Sequence, residues 1–146
     1  MPTAANKPDL ALSGHLLDVM PPIIRSIRAA MRDIKRSNLT VPQFRVLGFV
    51  SLQPCTNKQL ADWQGVSLPA MSRMVDYLAR RGLLLRAPDT VDRRQVQLQL
   101  SKKGAAEFKR LRHAIQTRLA ERMTTLPEKR KEILAGGLAV LKELFE

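Results

Sequence analysis

Three features predict a mainly α chain with a small β-hairpin wing, a winged helix-turn-helix with N- and C-terminal dimerisation helices. Two short helices are punctuated by capping residues and joined through a tight turn at Gly65. A faultless polar–apolar alternation from Gln95 to Leu100 follows them and marks a half-buried strand. Apolar stripes at helical spacing lie outside this unit at both ends of the chain.

The elements follow in order. Residues 1–8 read as a short lead. Leu16, Met20, Ile23, Ile27, Met31 and Ile34 recur every three or four residues, so they line one helical face. Pro21 and Pro22 interrupt that run, and a kink or a break into two helices is expected there. Thr40-Val-Pro-Gln43 is a capping box that opens an apolar helix, which Pro54 ends. Thr56-Asn-Lys-Gln59 is a second box. It opens a short helix that Gly65 closes, glycine tolerating the left-handed backbone of a helix end. Ser67 is a good N-cap for a helix from Leu68 to Arg81, with Gly82 just past its end. Within it Met71, Met74 and Leu78 recur at three and four and are expected to face the core. Leu83 to Arg86 is the expected partner strand, and Pro88 and Asp89 signal the turn between. Ser101 caps a further helix carrying Phe108, Leu111, Ile115 and Leu119. Thr125-Leu-Pro-Glu128 is a third capping box, expected to open the last helix. Gly136 and Gly137 inside that helix each cost about 1 kcal/mol relative to alanine.

Composition bounds the function classes. The 146 residues fit one small domain with helical extensions, and 45% hydrophobic content is enough for a core. Aromatics are only 4%, so that core is aliphatic. Twenty-five Lys and Arg against 13 Asp and Glu give +12, a field that attracts polyanions, although a solvated surface explains the same number. Cys55 is the single cysteine, so no intrachain disulfide forms and a zinc site of ordinary spacing is excluded. Two histidines without clustered carboxylates do not make a metal site, and no cofactor motif is present. No stretch approaches the roughly 18 apolar residues of a membrane span, and the N-terminus lacks a signal-peptide layout, so a cytoplasmic protein without a membrane partner is expected. No nucleophile–base pair, metal cluster or phosphate-cradling glycine loop points to an enzyme.

What remains on the outer face of the second short helix is Leu68, Pro69, Ser72, Arg73 and Asp76. A helix in this position presents its N-terminal residues to base edges in the DNA major groove. Arg73 suits a bidentate contact to guanine, Ser72 a base or a phosphate, and Pro69 or Ala70 a thymine methyl. The alternative for Arg73 is a surface ion pair with Asp76 at i+3. At the hairpin tip Asp92 and Arg94 are two apart and point to the same side of an extended chain. Asp92 there holds the Arg94 side chain extended, which suits insertion into a narrow minor groove. Arg93 faces the other way, toward backbone or solvent. A merely solvated basic tip is the competing reading. From Arg73 to Lys103, eight basic residues stand against three acidic ones.

These residues, in this order, resemble the MarR family of bacterial and archaeal regulators. The resemblance runs over nearly the whole chain. It rests on Leu39-Thr-Val-Pro-Gln-Phe44, Leu60-Ala61, Gly65-Val66-Ser67, Ser72-Arg73-Met-Val-Asp76, Arg81-Gly82-Leu83, the wing Asp89-Thr-Val-Asp92-Arg-Arg94, Leu98-Gln-Leu-Ser101 and Lys103-Gly104. It implies a homodimer with interleaved terminal helices and two winged domains on double-stranded, pseudo-palindromic DNA. It also implies that Ser72, Arg73 and Arg94 contact DNA with Asp92 orienting Arg94. Many such proteins are repressors that release DNA on binding a small, often anionic aromatic effector. The chain departs from the family pattern at Trp63 and Gln64, which look exchanged, and at Thr90, where proline is common. Cys55 lies outside the helix where oxidant-sensing relatives carry theirs, and a structural thiol is expected.

The expected division is a dimerisation segment at 1–38, a winged DNA-binding domain at 39–103 and C-terminal dimerisation helices at 104–146. A monomer with its end helices folded back on its own core is the alternative to the dimer. A winged module whose basic face meets an acidic protein is the alternative to the DNA reader.

Overall fold

The computed structural model describes residues 6–34, 38–88 and 95–145. In chain order it contains α1 (Lys7–Asp33), α2 (Val41–Leu52), α3 (Asn57–Gln64), α4 (Leu68–Arg80), β1 (Leu84–Pro88), β2 (Val96–Leu100), α5 (Lys102–Met123) and α6 (Glu128–Phe145). The fold is a winged helix with long helices at either end.

Local signals set most boundaries. Thr40 and Thr56 both form complete capping boxes: each accepts from the backbone of the residue three along, whose amide side chain accepts from the cap's own N–H. Gly65 closes α3 at φ 69°, ψ 38°, and the next N–H, of Val66, reaches back 3.0 Å to Ala61 O. Gly82 does the same for α4 at φ 71°, with Leu83 N–H 3.0 Å from Leu78 O. The wing pairs antiparallel, Leu84 opposite Leu100 and Pro88 opposite Val96, so β1 runs two residues further than Leu83–Arg86. Cys55, between α2 and α3, adds a single bridge to Leu98 through bonds of 2.7 and 3.3 Å, fastening the helical half to the wing.

Three expectations are corrected. First, α1 already starts at Lys7 behind the N-cap Asn6, so the lead is shorter than residues 1–8. Second, α1 continues through Pro21 and Pro22 as one element; the break into two helices does not occur. The prolines leave the carbonyls of Leu17 and Asp18 without helix partners, but both residues are exposed in this chain, so water satisfies them. Third, Thr125 does not cap α6. Its hydroxyl donates back to Arg122 O at 3.4 Å, and α6 begins only at Glu128. The cap requires extended backbone at the threonine. Although α5 ends at Met123, a tight turn trails it: Thr124 keeps helical dihedrals and Leu126 N–H bonds back to Met123 O.

The core lies between α2, α3, α4, the base of the wing and α5. Val46, Leu47, Leu60, Met71, Val75, Leu78, Leu83, Leu98 and Leu111 are wholly or almost wholly buried in it. On α4 the inward set is Met71, Val75 and Leu78; Met74, expected inside, is only half-buried at the core's margin. The last turns of α1 join through Ala30 and Met31. No residue of α6 is buried.

Where α4 ends and α5 begins, the backbones nearly touch. A Cβ on Gly104 would stand 2.0 Å from Leu83 O, so no side chain fits. Ser101 Oγ donates to Gly82 O at 2.6 Å and accepts from Gly104 N–H at 2.8 Å. Lys103 Nζ donates to Arg81 O at 2.8 Å, placing a cation at the carbonyl end of α4.

Candidate nucleic-acid interface

The outer face of α4 is built from below. Leu60 and Ala61 of α3 are buried against α4, and the small Ala61 permits the close crossing. Ser67 Oγ accepts from Ala70 N–H at 3.3 Å, starting α4 in a fixed direction, with Pro69 in its first turn. Since Met71, Val75 and Leu78 point inward, Leu68, Pro69, Arg73 and Asp76 point out and are exposed.

Asp76 does not pair with Arg73. It pairs with Arg86 of β1, across from α4 to the wing. Among the described residues Arg73 therefore has no carboxylate partner. Its side chain stands on the exposed face of a capped helix, while Asp76, Ala79, Arg80 and Arg86 line a separate open hollow. Ser72 is set back from this exposed face. It is half-buried, and its Oγ accepts a 2.7 Å hydrogen bond from Asn57 Nδ2 in the first turn of α3. Asp92, Arg93 and Arg94 lie outside the described residues.

Not every base here serves the field. Arg81 donates to Asn38 O at 3.4 Å and lies over the Tyr77 ring, and Lys103 is bonded to Arg81 O. Two side chains matter that sequence reasoning passed over. In the sequence Asn57 reads as part of a capping box, and Arg86 as the end of a strand and one charge among eight. Neither has a local spacing signal, because their partners are 15 and 10 residues away.

The exchanged pair is accommodated sideways. Trp63 is 43% exposed and packs on Phe49 of α2, ring centroids 4.6 Å apart, with the Arg45 guanidinium 4.9 Å above the indole. Gln64 is half-buried, and its Oε1 is buried with no partner among the described residues.

Cys55 is 1% exposed, and burial pushes its thiol up to about 11. At neutral pH it is a thiol in the core and not a thiolate, which fits a structural role. Among the described residues no group of three His, Cys, Asp or Glu could hold a metal ion, and no helix is long and apolar enough to cross a membrane. A second surface feature is an open groove of about 390 Å³ where α1 meets α2, lined by Arg28, Met31, Arg32, Asn38, Leu39 and Thr40 among others.

A helix-turn-helix with an outward arginine, followed by a two-stranded wing, defines a winged helix-turn-helix protein. Residues 37–95 are similar to the MarR family. An HTH-type transcriptional regulator of Mycobacterium tuberculosis is 37% identical over 87 residues, which cover 60% of this chain. That match spans 61% of the relative's own length. The crystal structure of RV1404 from M. tuberculosis superposes with a TM-score of 0.82 at 25% identity, covering 97% of this chain and 95% of that one. The transcriptional repressor CouR, solved bound to a 23-mer DNA duplex, gives a TM-score of 0.71 at 25% identity over 96% of this chain and 99% of its own.

Proposed function

We propose that this protein is a homodimeric, sequence-specific DNA-binding transcriptional regulator, a repressor released by a small-molecule signal. The observation that carries the reading is Arg73: exposed on the outer face of a capped helix, with Asp76 already engaged by Arg86. In the major groove Arg73 takes guanine O6 and N7, Ser72 a neighbouring group and Pro69 a thymine methyl. At the hairpin tip Arg94, oriented by Asp92, enters the minor groove, and Arg93 meets the backbone. The DNA duplex held by CouR supports a double-stranded partner of this kind.

The dimer reading rests on the ends of the chain. Residues 1–38 and 104–146 act as the dimerisation segments around a winged domain at 39–103. No residue of helix α6 is fully buried, and Ile133, Leu138, Leu144 and Phe145 are all exposed on it. That disfavours end helices folded back on their own core. A two-fold pair would set two copies of α4 about 34 Å apart, one DNA turn, on a pseudo-palindrome. The groove beside Arg28 and Arg32 has an apolar floor of Met31 and Leu39, and this fits a small anionic effector with an apolar body.

Selection of bound duplexes from a random pool, followed by titration against salt, tests the reading. The expected result is a two-fold-symmetric consensus, bound with a steep salt dependence. Arg73→Ala should relax preference at one position per half-site, at about 1–3 kcal/mol. Equal affinity for duplexes with and without the selected sequence at physiological salt would refute the specific reader.

A further inference from the structure

We infer that Asn57 is a specificity-positioning residue: it holds Ser72 as a hydrogen-bond donor toward a base-edge acceptor in the major groove. The inference rests on the DNA-reading role of α4 proposed above.

The argument starts from what helical hydroxyls do elsewhere in this chain. Ser13, Ser26, Ser51 and Thr117 each donate their hydroxyl hydrogen to a carbonyl three or four residues back, at 2.9, 3.0, 2.6 and 3.0 Å. A hydroxyl spent in that way is only an acceptor toward the outside. Ser72 is also within a helix, yet among the described residues it makes no such bond. Instead Asn57 Nδ2 donates to its Oγ at 2.7 Å, in a half-buried setting. One lone pair is thereby filled from behind, and the hydroxyl hydrogen is left uncommitted on the side away from α3.

That side adjoins Arg73 in the early turns of α4, the part of such a helix that faces base edges. A serine free to rotate reads either donors or acceptors and so discriminates poorly. A serine whose oxygen is already engaged presents mainly a donor. It is complementary to purine N7, guanine O6 or thymine O4, and mismatched to the amino groups of adenine and cytosine.

Asn57 is a costly way to pin a side chain if stability were its only role. Its Oδ1 is buried with no partner among the described residues, and a buried amide oxygen left unpaired is destabilising. Substitution at 57 is therefore expected to spare the fold and to damage recognition.

The test compares wild type, Asn57→Ala, Ser72→Ala and the double variant. The readouts are anisotropy titrations on the selected operator and its single-base variants, together with thermal melting. Asn57→Ala should weaken operator binding about 3- to 10-fold, the worth of one neutral hydrogen bond, with an unchanged or higher melting temperature. Its relaxed preference should fall at the same base position as that of Ser72→Ala, and the double variant should be no weaker than Ser72→Ala alone. Wild-type affinity in Asn57→Ala, losses that multiply in the double variant, or equal weakening on every sequence would each overturn the inference. Arg73→Ala in the same titrations separates the two failures. If it loses specificity while Asn57→Ala does not, only the positioning role falls. If wild type itself shows no specificity, the DNA-reading role falls.

Discussion

At the residue scale the tightest constraint is Gly104. Its missing side chain lets the start of α5 lie on the backbone of Leu83, and that contact sets the angle between the reading unit and the long helix α5. Gly104→Ala must push the two segments apart or break the Ser101 bonds that join them. The expected loss is about 3 kcal/mol, at the upper end of overpacking costs, read from urea unfolding midpoints. Unchanged stability would mean the junction yields easily. Cys55 gives a prediction of different kind. Its folded pKa of about 11 lies above the ordinary 9.0, so the thiol's contribution is fully present below pH 9 and is lost as pH rises toward 11. Wild type should therefore lose stability over that window more steeply than Cys55→Ala, and its thiol should resist alkylation at pH 8 until the protein unfolds. Rapid labelling of the folded protein at pH 8 would contradict this burial. Cysteine count alone could not fix this: one thiol in a loop reads the same whether it is open to reagents or, as here, closed over by its bridge to Leu98.

At the element scale, legibility depended on how local the cause was. The caps at Thr40, Thr56, Ser67 and Ser101 involve residues three apart, and each helix begins where its sequence says. Thr125 has the same pattern and fails, because the turn trailing α5 already holds its hydroxyl, which a four-residue window does not contain. The tie between α4 and the wing was illegible for the same reason. Asp76 has three basic candidates, Arg73 and Arg80 by helix spacing and Arg86 by the fold, and only the packed wing brings the last one close. That pair is half-exposed on both sides, so it contributes little to stability: double-mutant coupling between Asp76→Ala and Arg86→Ala in unfolding should stay below about 1 kcal/mol. Its effect belongs to geometry, because it fixes the base of the wing against the helix that carries Arg73. The coupling measured in operator affinity should exceed the coupling measured in stability. The reverse order would make the pair a bystander of the fold.

At the scale of the whole molecule, the apolar stripes at the two ends of the chain are only partly covered by other described residues. The C-terminal turns of α1 join the core, whereas its N-terminal half leaves Leu10, Leu17 and Met20 exposed, and α6 leaves Ile133, Leu134, Leu138, Val140, Leu144 and Phe145 exposed. A sequence stripe declares that a helix has something to cover; it does not declare whether the cover is in the same chain. Here α6 makes no substantial packing with any other element, so its stripe is free to meet a second copy. If it does, one charge in the middle of that stripe is enough to test the assembly. Leu138→Asp touches nothing in the core, since Leu138 is 54% exposed, so the winged unit should keep its fold. Burying an unpaired carboxylate at a helix interface is prohibitive, and the variant should sediment as a monomer where wild type is a dimer. Each monomer still carries Arg73 and the wing, so half-site binding should persist, but a full operator should lose about 100-fold or more as the two reading heads become independent. The melting temperature should also depend on concentration for wild type and not for the variant. A variant that remains dimeric would move the interface off α6, and a dimer lost with operator affinity intact would show that one winged unit suffices to read the site.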